Sequence, residues 1–107
     1  MNNKSERIID IVKYLQTKYG DNNILIKDHW ESDSDAIGLI DKSGKYLAYI
    51  STIGSNQNEF YLALENLPSD LDLPYSPAGD FDKIDLSELE QLVVKHLKLK
   101  LLISSES

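Results

Sequence analysis

The chain has no cysteine. It can form neither a disulfide nor a thiolate metal site, which excludes the stapled scaffolds of small secreted domains. It has two histidines and one tryptophan. His29 and His96 stand in no His-x-x-x-His or His-Glu pattern, so the spacing of a zinc site is missing. The five glycines are scattered, with no phosphate loop and no Gly-x-Ser-x-Gly elbow. No apolar run approaches the roughly 20 residues that cross a bilayer. The opening Met-Asn-Asn-Lys-Ser-Glu lacks the apolar stretch of a secretory signal. These absences lead to the expectation of a cytoplasmic protein that is not an enzyme and uses no cofactor, metal or membrane.

What is present is one ordinary domain. In 107 residues, 41% hydrophobic and 27% charged, there is material for a single modest core. The net charge of −7 is uneven. Residues 28–90 hold fourteen acids against three bases, leaving −11, while the segments on either side carry +2 each. A phosphate backbone requires a basic face, so direct nucleic-acid binding is disfavoured. A basic protein is the expected partner.

The organising element is a hairpin. Tyr46–Ile53 and Glu59–Glu65 are short runs of β-branched and aromatic residues, separated by the turn-formers Gly54-Ser55-Asn56-Gln57-Asn58. Before it, Lys4–Tyr19 has apolar residues at helical spacing, with Asn3 and Glu6 as a capping pair and Gly20 as the stop. Asn23–Lys27 and Ala36–Ile40 read as strands, and Asp41-Lys42-Ser43-Gly44 as a type I turn. After the hairpin, residues 66–83 contain Pro68, Pro74, Pro77 and Gly79, too many breakers for a helix or central strand. A closing helix starts at Asp85 or Leu86, capped by Asp85 and Glu88. Its core stripe is Leu86, Leu89, Leu92, Val93, His96 and Leu97. The expected fold is α+β: N-terminal helix, four-stranded antiparallel meander, Pro-rich loop and C-terminal helix, as a monomer or weak dimer.

With Ile53 opposite Glu59, one face of the hairpin carries Ala48, Ile50, Leu62 and Leu64, and the other Leu47, Tyr49, Tyr61 and Ala63. Neither is polar. Either a helix covers each face, or both helices share one side and leave the tyrosine face to a partner.

The acidic run Glu31–Asp35 does not match a calcium loop, because Ala36 and Lys42 stand where that loop needs Gly and Glu. His96 on the apolar stripe reads as a packing residue, and His29 as loop material. With no clustered nucleophile, base and oxyanion donor, catalysis is disfavoured. A carboxylate-based hydrolase is the least favoured reading. The candidate partner-binding residues are the aromatic anchors Trp30 and Tyr75 with the acids Glu31, Asp33, Asp35, Asp70, Asp72, Asp80 and Asp82.

Two passages, Tyr61-Leu-Ala-Leu-Glu-Asn-Leu-Pro68 and Gly79-Asp-Phe-Asp-Lys-Ile-Asp-Leu-Ser-Glu-Leu-Glu-Gln-Leu-Val-Val94, together with the element order, carry a family resemblance. The chain resembles the small bacterial immunity proteins of contact-dependent growth inhibition systems. Within them it is most similar to the group that neutralises tRNA-cleaving toxins acting with elongation factor Tu. The resemblance implies a cytosolic, non-catalytic inhibitor that binds a cognate nuclease toxin. It transfers no individual binding residue. The alternative from another class is a small acidic adaptor or regulatory subunit that binds a basic partner.

Overall fold

A computed structural model describes residues 4–27, 34–52, 58–66 and 76–101. The elements run α1 (Glu6–Tyr19), β1 (Ile24–Ile26), β2 (Ala36–Asp41), β3 (Tyr46–Ser51), β4 (Phe60–Asn66), β5 (Ser76–Ile84) and α2 (Leu86–Leu97). The five strands form one antiparallel sheet in the order β1-β2-β3-β4-β5. The architecture is the expected α+β meander between two helices, with one strand more than expected.

The extra strand lies within the stretch read as irregular. Proline cannot donate to a ladder, but an edge strand needs donors on one side only. β5 is such an edge and carries Pro77. Two register shifts against β4 absorb the remaining irregularity. One falls beside Gly79, at φ 129. At the other, Asp82 and Lys83 together oppose Tyr61, and Lys83 takes φ 56. This bulge turns the strand's alternation. Phe81 and Ile84 both reach the core, while Asp80 and Asp82 stay exposed.

Local chemistry starts and stops the other elements. Ser5, not Asn3, caps α1, its hydroxyl accepting from Ile8 N; Asn3 is outside the described residues. Gly20 ends that helix at φ 101. Asp85 and Glu88 form the full capping box of α2. The β2–β3 turn closes through Gly44 N to Asp41 O at 3.0 Å. The Asp41 carboxylate accepts from Ser43 N, Ser43 Oγ, Lys45 N and Tyr46 N. Burial pushes this carboxyl's pKa up, but those hydrogen bonds outweigh it and hold the pKa below its ordinary value.

The β3–β4 register places Tyr46 opposite Asn66 and Ser51 opposite Tyr61, in step with the expected hairpin, whose Ile53 lies outside the described residues. Ile37, Leu39, Ala48, Ile50, Leu62, Leu64 and Ile84 form the sheet's share of the core. Ile8, Val12 and Leu15 of α1 and Leu89, Val93 and Leu97 of α2 complete it. Both helices therefore pack on the same side. Leu86, placed on the stripe by its spacing, is 39% exposed at the helix start. Arg7 pins α1 to β4 by donating to Glu59 O at 2.8 Å beneath the Phe60 ring. Gln16 ties α1 to β1 through Ile24 O. Among the described residues, no helix is long and apolar enough to cross a membrane.

Candidate functional site

With both helices on one side, the opposite face of the sheet becomes the site of interest. One row across it, read from the register, is Gly38, Tyr49, Ala63 and Asp80 on β2 to β5. Tyr61 stands diagonally from Tyr49 on β4, and the rings meet edge to face, 6.2 Å apart at 69°. Gly38 and Ala63 add little bulk beside them. Ala36, Ile40 and Leu47 share this face but are buried. At its centre the accessible residues are the half-buried Tyr49, Tyr61 and Ala63 with the exposed Asp80, and Leu25 and Glu65 are accessible towards the ends of the strands.

The electrostatics of this patch are negative. Tyr61 donates to Asp80 Oδ2 at a long 3.4 Å. Burial first, then the charge of Asp80 and more weakly that of Asp82, push the Tyr61 phenol above its ordinary value. Among the described residues neither carboxylate has an ion-pair partner, although Lys83 follows directly in sequence. Two carboxylates with no cation paired to them among the described residues, beside a tyrosine pair on the sheet face opposite α1 and α2, form a surface that a positively charged group would complete. The bulge matters here. Without it, strand alternation would carry Lys83 rather than Ile84 toward the core.

Of the sequence-predicted site residues, Asp80 and Asp82 lie in this patch. Asp35 does not: it precedes β2, its carbonyl accepting from Thr52 N at 2.8 Å, and β3 and β4 separate it from β5. Trp30, Glu31, Asp33, Asp70, Asp72 and Tyr75 lie outside the described residues, as does His29. Tyr49 and Tyr61 were legible in the sequence as aromatic anchors on a face open either to a helix or to a partner. Their meeting with Asp80 depends on β5, whose apolar Phe81 between Asp80 and Asp82 was the one alternation signal available.

Two further polar groupings are structural. His96 is half-buried, its Nε2 lying 2.8 Å from Glu65 O and its ring edge-on to Tyr46 at 5.5 Å. Glu90 bridges the helices: it accepts from Tyr14 at 2.7 Å and Tyr19 at 2.5 Å, and pairs with Lys18 at 2.7 Å. Burial of Glu90 pushes its carboxyl pKa up, but the hydrogen bonds from Lys18, Tyr19 and Tyr14 outweigh this and hold it below the ordinary value. Burial first, then the hydrogen bond to Glu90 and its charge, push the Tyr19 phenol up to about 12, against the opposing charge of Lys18. Among the described residues no group of three or more His, Asp or Glu is placed to hold a metal ion. No protein-family model, curated protein or solved structure matches the chain.

Proposed function

We propose that this protein is a cytoplasmic immunity protein that binds and neutralises a basic nuclease toxin of a contact-dependent growth inhibition system. The toxin class indicated by the resemblance is a tRNA-cleaving one, bound in a complex that includes elongation factor Tu. The observation that carries the proposal is the grouping of Tyr49 and Tyr61 with Asp80 and Asp82, which have no ion-pair partner among the described residues, on the sheet face opposite α1 and α2. Tyrosines give large contact area at low entropic cost and recur as interface anchors. Carboxylates beside them select a cationic partner and speed its encounter. A nuclease must present positive surface to RNA. An acidic binding face can occupy that surface in competition with the substrate. The contact extends in this reading to Asp70, Asp72 and Tyr75, which precede β5 in sequence, with Trp30, Glu31, Asp33 and Asp35 as the second acidic group.

The test is co-expression with the toxin domain encoded beside this gene, reading growth and complex formation. The double variant Asp80→Lys with Asp82→Lys should fold, lose the complex and lose protection. A folded double variant that binds and protects like the parent, at low and high salt, overturns the assignment of this face. Binding to the toxin without rescue of growth would fit an adaptor instead.

A further inference from the structure

The bases of this acidic protein are not spread evenly, and three of them meet at one place. The end of α2 and the β2–β3 turn enclose a concavity of about 330 Å³, lined by Asn23, Asp41, Lys42, Leu97, Lys98, Leu99 and Lys100. We propose that this concavity binds a compact phosphate-bearing anion, such as pyrophosphate or a phosphate monoester, through Lys42, Lys98 and Lys100. This site is separate from the tyrosine–aspartate face and does not depend on the proposed function.

Four observations carry it. First, among the described residues no carboxylate pairs with any of the three ammonium groups. Second, the one acid in the lining is already committed. A carboxylate offers about four lone-pair sites, and Asp41 fills them with Ser43 N and Ser43 Oγ on Oδ2 and Lys45 N and Tyr46 N on Oδ1. It keeps its charge but has no acceptor site left for a lysine. Third, Lys98 is held in place: its Nζ donates to Tyr46 Oη at 3.1 Å and lies 4.7 Å from that ring's centre. Fourth, Lys98 occupies the left-handed cap position of α2, φ 58 and ψ 48, where glycine is the usual residue. A lysine there is a costly choice for the backbone alone.

The helix dipole explains part of this pattern, since cations favour helix C-termini. It does not explain Lys42, which arrives from a different element, nor the convergence on one concavity. The dipole places roughly half a negative charge at this end. The Val94 carbonyl there is already satisfied by the N–H groups of Lys98 and Leu99. Three lysines in the lining, against that half charge and Asp41, give the concavity an excess of positive charge. A compact anion fits better than RNA, because a long polyanion would also meet the field of a protein with net charge −7.

The test is an amide NMR titration of the full chain with pyrophosphate, alongside a short single-stranded RNA. Saturable shifts confined to residues 42–45 and 97–100 are expected. Lys98→Gly with Lys100→Gln should weaken binding about tenfold or more, the loss of one to two charge-assisted hydrogen bonds. Glycine keeps the left-handed cap, so this variant should melt at or above the parent's temperature. If it does not fold, Lys42→Gln with Lys100→Gln carries the test with the same expected loss. The proposal is overturned by the absence of saturation at millimolar pyrophosphate, by equal shifts at Lys13 and Lys83, or by undiminished binding in the folded variant. Tighter binding of the RNA than of pyrophosphate also overturns it.

Discussion

Replacing Glu90 by alanine should be the most informative single perturbation of stability outside the apolar core. Its carboxylate accepts from Tyr19, which is 6% exposed, and from Tyr14, which is 38% exposed. A hydrogen bond to a charged group contributes about 1.5–3 kcal/mol, and a neutral or solvated one nearer 1. Removing the acceptor strands the Tyr19 hydroxyl while water replaces it at Tyr14. The Lys18 side chain is 40% exposed, and its ion pair adds nothing to the sum. The expected loss is therefore about 2–4 kcal/mol, a drop of roughly 10–20 °C in melting temperature for a domain of this size. Glu90→Gln keeps an acceptor oxygen and should lose about half as much.

The pH dependence supplies a second reading. The Glu90 pKa is depressed, so its contribution is present above the ordinary 4.5 and lost as pH falls through the lower folded value. The Tyr19 pKa is raised, so its contribution is complete below 10.0 and lost as pH climbs towards 12. The gap between parent and Glu90→Ala should thus be widest near neutrality and close at both extremes. Urea unfolding across pH, with a spectrophotometric titration of the tyrosines, measures both. A variant within about 0.5 kcal/mol of the parent at neutral pH, with the highest phenol titration unmoved, would refute the reasoning.

Other perturbations separate core, turn and bulge. Leu62→Ala, at a fully buried site, should cost about 2–5 kcal/mol in urea unfolding, whereas Leu25→Ala, 44% exposed, should stay within about 0.5. Asp41→Ala removes the acceptor of four hydrogen bonds and should cost about 1–3 kcal/mol at neutral pH. Because the folded pKa of Asp41 is lowered from 3.8, that cost should shrink as pH falls below this value. Lys83→Gly relieves a left-handed backbone at φ 56 and should raise stability by up to about 1 kcal/mol in a thermal melt. A fall in the melting temperature would mean that the Lys83 side chain contributes more than its backbone costs.

The sequence by itself determined the elements whose signals are local. The Asp85–Glu88 capping box sets the start of α2 because its donors and acceptors lie within one turn. Asp41 and Gly44 close the β2–β3 turn for the same reason. The β3–β4 register followed from period-two alternation and loop length, since a slip by one residue would turn Ile50 and Leu62 out of the core. Local reading failed at β5, because Pro77 and Gly79 are breakers in isolation. Only pairing with β4, at an edge that tolerates a missing donor and two bulges, makes the segment a strand. Which side the helices take was also undetermined, since both hairpin faces are apolar and the choice depends on burying Leu15 and Val93 in one core. That choice leaves Tyr49 and Tyr61 on the face opposite α1 and α2, and the β4–β5 pairing sets Asp80 beside Tyr61. Contacts between residues distant in sequence follow from packing and strand pairing, and only the tertiary structure decides those.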